Sequence, residues 1–156
     1  MSIKAICNSN VVTMERGTTL KEASDLMQRK HVGSIVVTEV EGGKKIPCGI
    51  ITDRDIALAV GSSIRPQDLR VEQIMRNRPV TAKGSDGIYD TIMRMRDNGV
   101  KRLPVVNADG SLCGVICADD LLSMMGDEIN SLAKITEVQI KKERGLRAPV
   151  EMRIEM

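Results

Sequence analysis

The chain has 156 residues, 42% hydrophobic and 28% charged, a globular balance long enough to bury a core without disulfide or metal staples. Twenty-three Lys and Arg against 21 Asp and Glu leave a net charge of +2, too little to argue for a nucleic-acid or membrane partner. One Tyr, no Phe and no Trp argue against modules that stack bases on aromatic platforms. No apolar run approaches the roughly 18–20 residues of a membrane span. Residues 1–10 lack the apolar stretch of a secretory signal. The expected compartment is therefore the cytoplasm, with Cys7, Cys48, Cys113 and Cys117 as reduced, buried thiols.

In chain order, a short Val-rich strand over 10–13 leads to a helix opened by Thr19-Leu20-Lys21-Glu22, a capping box, with Leu20, Ala23 and Met27 on one face. Two β-rich runs follow, 34–38 and 46–51, joined through Glu41-Gly42-Gly43, residues suited to a tight hairpin. A helix over 53–60 closes the unit, and 61–67, containing Pro66, links it to the next. The second unit repeats the grammar. It has a strand over 79–81, a helix striped by Ile88, Ile92 and Met95, strands over 103–106 and 112–117 around Asp109-Gly110, and a helix over 119–125. After Gly126 the spacing of Ile129, Leu132 and Ile135 predicts a separate helix over 127–144, although Thr136, Val138 and Ile140 also alternate as a strand does. Val150, Met152, Ile154 and Met156 alternate with charged residues and predict a terminal strand or extended tail needing a partner surface.

The two units are copies. A shift of 68 lays Val12-Thr13 on Val80-Thr81, Met27 on Met95 and Val32 on Val100. Beyond Val40 the shift is 65, because the first loop is three residues longer, and Cys48-Gly49-Ile50-Ile51 then falls on Cys113-Gly114-Val115-Ile116. Register kept on both sides of one indel marks a tandem duplication. A β-α-β-β-α unit of about 55 residues is marginal alone, so the copies are expected to pack together.

Val32-Gly33-Ser34-Ile35-Val36-Val37 with Gly49-Ile50-Ile51-Thr52-Asp53-Arg54-Asp55-Ile56, and Val100-Lys101-Arg102-Leu103-Pro104-Val105-Val106 with Gly114-Val115-Ile116-Cys117-Ala118-Asp119-Asp120-Leu121, resemble cystathionine-β-synthase (CBS) domains. Two in tandem resemble a Bateman module. The resemblance implies an α/β (α+β) fold in which two β-α-β-β-α repeats, over 7–63 and 71–126, form a pseudo-two-fold pair followed by a C-terminal helix and tail over 127–156. It further implies a non-catalytic regulatory module that binds an adenine nucleotide (AMP, ADP or ATP), requires no cofactor, forms a homodimer, and relays ligand occupancy to a protein target.

In such domains the Asp closing the Gly-h-h-Thr-x-x-Asp string takes the ribose hydroxyls, supported by the Thr. That assigns Asp55 with Thr52, and Asp120 with Cys117; Arg54, inside the first string, is a further expected ligand-binding residue. Adenine would contact Ile50, Val80, Thr81 and Val100 around Asp55, and Val115, Val12, Val32 and Gly33 around Asp120. Basic residues at the Lys101-Arg102 position hold phosphate in similar proteins. The chemistry agrees, since a fixed carboxylate suits a cis-diol and a helix N-terminus with free N–H groups suits phosphate. Two departures stand out. Gly33-Ser34 replaces the basic pair in the first copy, and Cys117, a weak hydrogen bonder, replaces Thr in the second. One ligand using both halves is therefore expected, with ribose on Asp55 and Thr52 and phosphate on Lys101 or Arg102.

Plainer readings accompany each residue. Thr52-x-x-Asp55 is also a capping box, and Lys101-Arg102 also suits a solvated turn. His31 suits the end of a helix, as a partner for the dipole. A lone His, with no G-x-S-x-G or P-loop string, offers no nucleophile–base pair. Cys113 and Cys117, about 13 Å apart along a strand, are too far apart for one zinc ion. Three alternatives to a nucleotide sensor remain: a ligand-free adaptor acting through its C-terminal tail, S-adenosylmethionine binding, and a thiol switch between Cys48 and Cys113.

Overall fold

The computed structural model describes residues 1–146, so the strand expected over 150–156 lies outside the described residues. Residues 1–118 form one compact unit, and residues 119–146 belong to a second.

In the first repeat β1 (Thr13–Glu15), α1 (Leu20–Lys30), β2 (Ser34–Glu41), β3 (Lys44–Thr52) and α2 (Asp53–Ser62) follow in order. In the second, β5 (Ala82–Lys83), α4 (Ile88–Asn98), β6 (Arg102–Val106), β7 (Leu112–Cys117) and α5 (Ala118–Leu146) repeat the arrangement. Strand β1 runs parallel to β2 and β2 antiparallel to β3, as β5 does to β6 and β6 to β7. The β-α-β-β-α reading of each copy thus holds. The first core joins Leu20, Ala23 and Met27 of α1 to Ile35, Val37 and Ile51 of the sheet. Met95, Leu103, Val105 and Ile116 are their buried counterparts in the second repeat. The expected capping box is formed, with Glu22 N donating to Thr19 Oγ1 (3.2 Å) and Thr19 N to Glu22 Oε2 (2.9 Å).

Four local expectations are corrected. Strand β1 starts at Thr13 and β5 at Ala82, later than predicted. The Val12 carbonyl already accepts from Val36 N at 3.2 Å, whereas Pro79 has no N–H to give a ladder. The link after α2 contains a short helix α3 (Val71–Ile74) and a strand β4 (Arg76–Asn77). The helices predicted over 119–125 and 127–144 are one, α5, because Gly126 lacks the left-handed φ of a helix stop. The strand-like alternation of Thr136, Val138 and Ile140 falls inside the same helix.

β4 reveals how the repeats are joined. It pairs antiparallel with β3 of the first repeat, Arg76 opposite Ile50 and Asn77 opposite Gly49. The N-terminal segment does the converse. Asn8 and Val115 of β7 exchange both backbone hydrogen bonds at 2.9 Å, and Ile3 N and Lys4 N donate to Asp86 O and Gly84 O. Each repeat's opening segment is thus bonded to the other repeat's sheet. The crossing is close. A Cβ on Gly49 would overlap the Met75 thioether, and one on the equivalent Gly114 the Cys7 thiol. Ile3 and Val71, 68 residues apart, are both fully buried, so the duplication continues upstream of Cys7.

The two α1-type helices end in the left-handed region, α1 at His31 (φ 52°) and α4 at the equivalent Gly99 (φ 61°). A side chain strains that conformation by about 1–2 kcal/mol and glycine does not, although glycine returns part of the gain as chain entropy. His31→Gly is therefore expected to raise stability by about 0.5–1 kcal/mol and Gly99→Ala to lower it by a similar amount. Urea unfolding of both variants tests this; changes of the same sign would contradict it.

Candidate functional site

The segment exchange opens a cleft of about 500 Å³ inside the first unit. One wall is the end of β3 and first turn of α2 (Ile50, Thr52, Asp53, Arg54, Asp55) with Ser34 at the start of β2. The other is the leading segment of the second repeat (Arg76, Pro79, Val80) and the α4–β6 turn (Gly99, Val100, Lys101, Arg102). Seven residues expected around Asp55 line it with that residue: Ile50, Thr52, Arg54, Val80, Val100, Lys101 and Arg102. Thr81 does not line the cleft; its carbonyl accepts from Arg94 Nη1 at 2.8 Å. Ribose and phosphate candidates from different repeats therefore share one cavity.

Thr52 and Asp55 form the capping box. Asp55 Oδ2 accepts from Thr52 N at 2.8 Å and Thr52 Oγ1 at 2.7 Å, and Thr52 Oγ1 accepts from Asp55 N at 3.2 Å. The box does not exclude a ligand role. All the bonds to the carboxylate fall on Oδ2, and Oδ1 receives none from a described residue. The carboxylate is thus immobilised with one oxygen to spare.

The helix end differs from expectation. Asp53 N donates to Gly33 O (3.1 Å), Arg54 N to Asp53 Oδ1 (2.8 Å) and Asp55 N to Thr52 Oγ1 (3.2 Å). The first-turn N–H groups of α2 are already used, so the chain itself supplies the partners that the sequence reading left for phosphate. Cationic side chains remain for that role. Arg54, Arg76, Lys101 and Arg102 face two carboxylates, Asp53 and Asp55, and none of the four is in an ion pair with a described residue. The cleft floor is aliphatic, from Ile50, Val80 and Val100.

The residues expected around Asp120 fall in both units, and each is described by itself. Val12 packs against the first core. Val32 and Gly33 line a shallow cavity of about 450 Å³ beside His31, Asp53 and Ile56. Val115 is bonded to Asn8. Cys117 ends β7, Asp120 stands in the first turn of α5, and neither is without a partner.

Arg76, Ser34, Asp53, Pro79 and Gly99 are lining residues that the sequence reading did not assign. Arg76 was findable, since the shift of 68 lays it on Asn8, just upstream of the first copy as it was delimited. The thiols lie elsewhere. Burial pushes Cys7 and Cys48 above their usual range, and Cys48 Sγ donates to Val37 O. Cys7, not Cys48, is the thiol whose proton loss is further opposed by Cys113. Among the described residues no cluster of His, Cys, Asp or Glu could hold a metal ion, and no helix is long and apolar enough to cross a membrane.

A CBS domain model matches residues 3–62 and 71–127, and the chain belongs to the CBS-domain family. A CBS domain-containing protein of Bacillus subtilis, YhcV, is 31% identical over 128 residues, 81% of this chain and 88% of the relative. Against a longer relative from Methanopyrus kandleri the chain spans 62% of the length. Among solved structures, the CBS domain protein PAE2072 from Pyrobaculum aerophilum complexed with AMP superposes with a TM-score of 0.70 at 26% identity, covering 78% of this chain and 90% of that one. The CBS domain pair of protein MJ0100, in complex with 5-methylthioadenosine and S-adenosyl-L-methionine, has a TM-score of 0.72 at 20% identity, covering 82% and 98%.

Removing the Thr52 hydroxyl deletes two of the three capping bonds. Thr52→Ala is expected to cost about 0.5–2 kcal/mol in urea unfolding, and Thr52→Ser to cost less. Equal stability of Thr52→Ala and the parent chain would contradict the cap.

Proposed function

We propose that the chain is a regulatory module that binds a phosphate-bearing adenine nucleotide, AMP, ADP or ATP, in the Asp55 cleft. The observation that carries this reading is one cavity holding an immobilised carboxylate, an aliphatic floor and four cations outside ion pairs. Asp55 Oδ1 accepts from the ribose diol, a charge-assisted bond of the stronger kind. Ile50, Val80 and Val100 enclose the adenine. Lys101 and Arg102 take the phosphates, with Arg54 and Arg76 adding positive potential. The PAE2072 complex with AMP supports the class of ligand. A sulfonium such as S-adenosylmethionine brings positive charge to a cleft already rich in it, which disfavours that alternative.

Because the ligand touches Thr52–Asp55 of one repeat and Val100–Arg102 of the other, it favours one arrangement of the pair. The shift is limited by its differential affinity for the two arrangements. Occupancy is then readable by a protein target, and the module has no chemical step to perform.

Thermal melts with AMP, ADP and ATP test the site. Ligand at about 100 times its dissociation constant adds about 2.7 kcal/mol, worth several degrees for a chain of this size. Asp55→Ala and Arg102→Ala are each expected to abolish most of the ligand-induced shift, whatever they do to the unliganded midpoint. An unchanged shift in either variant would overturn the assignment.

A further inference from the structure

β4 borders a second cavity. It measures about 400 Å³, is lined by Arg16, Glu39, Pro47, Cys48, Asn77 and Arg78, and shares no lining residue with the Asp55 cleft. Arg16 is committed within the chain, where Nη1 donates to Glu39 and Nε lies 3.5 Å from Glu72 Oε2. Neither the Arg78 guanidinium nor the Asn77 amide bonds to a described residue. Arg16 and Glu39 offset each other. The cavity is left with one positive charge on a planar fork of donors, beside a wall of Pro47 and Cys48.

The fold does not require these charges. The shift of 68 lays Arg16 on Gly84, Glu39 on Asn107 and Arg78 on Asn10, so the corresponding places of the other copy are uncharged. Arg78 is also strained. Its φ is 50°, a region that disfavours any side chain, and the residue before a proline, here Pro79, prefers an extended backbone. Asn10 is not left-handed. The Arg78 N–H donates to Cys48 O at 3.2 Å, a bond that glycine would make without the strain. Strain kept at a side chain with no partner in the chain points to a ligand. We propose that this cavity binds a small carboxylate, with the Arg78 guanidinium and the Asn77 amide donating to its oxygens and Pro47 against its carbon skeleton. One uncompensated charge suits a monoanion, whereas a phosphate group carries closer to two and would meet the Glu39 carboxylate. This site is independent of the nucleotide reading.

Titration of the full chain, without nucleotide, followed by NMR tests it, with butyrate as the probe, inorganic phosphate as the rival and chloride as the control at equal ionic strength. Butyrate is expected to shift the Cys48 and Asn77 amide signals saturably and to leave those of Lys101 and Arg102 in place. Arg78→Gly is expected to weaken butyrate binding at least tenfold while raising the midpoint of urea unfolding, a combination that misfolding would not produce. A response that never saturates, or that persists unchanged in Arg78→Gly, would overturn the site. A lowered midpoint would overturn it too, by showing that Arg78 serves the fold. Shifts at Lys101 and Arg102 instead would place the anion in the Asp55 cleft. Phosphate binding more tightly than butyrate would overturn the assignment to a carboxylate.

Discussion

The structure depends on an exchange. The segment that opens each repeat is hydrogen-bonded to the sheet of the other, Arg76 and Asn77 along β3 and Asn8 on β7. Neither segment could hold an extended conformation alone, because two residues form too short a ladder. Each also covers a strand edge whose N–H and C=O groups would otherwise lie open. Glycine at 49 and 114 is the condition for the contact, since Met75 and Cys7 lie where a β-carbon would be. A duplicated unit too small to be secure alone is in this way tied to its copy by backbone as well as by side chains.

The same exchange makes the site. β4 and the residues after it carry Arg76, Pro79 and Val80 to the end of β3, where α2 begins. Thr52 and Asp55 lock each other there as a helix cap, and the lock spends one carboxylate oxygen while leaving the other. Capping and ligand binding are therefore compatible roles for the same two residues. Arg54, Arg76, Lys101 and Arg102 share a cavity with only two carboxylates, so their mutual repulsion is relieved by an anion. With the α2 N–H groups already bonded within the chain, an anion in the proposed site would meet side chains more than the helix end.

Much of this was legible before any coordinates. The repeat register located both hairpins and the helices α1, α2 and α4, because each rests on local signals that recur, and the Thr-x-x-acid strings of the first copy announced its two caps. It also paired Asp55 with Lys101 and Arg102 across the copies. What escaped has physical causes. α3 is one turn and β4 two residues, without periodicity, and both exist only because another repeat's edge receives them. Gly126 looks like a stop in one dimension. In an exposed helix it costs about 0.5–1 kcal/mol relative to alanine, and the helix runs through it. Of the engaged N–H groups of α2, that of Asp55 belongs to the capping box, that of Arg54 is held by the neighbouring Asp53 side chain, and that of Asp53 depends on Gly33 O, a tertiary detail that a capping motif does not announce.

The central claim is that the Asp55 cleft selects an adenosine ligand by its phosphate. Calorimetric titration of one preparation with adenosine, AMP, ADP, ATP and S-adenosylmethionine tests it directly, repeated at raised salt because exposed charges are screened. The account predicts that phosphate-bearing nucleotides bind more tightly than adenosine or S-adenosylmethionine, and that salt narrows the gap. Adenosine or S-adenosylmethionine binding as tightly as AMP, or no heat from any of the five, would contradict it.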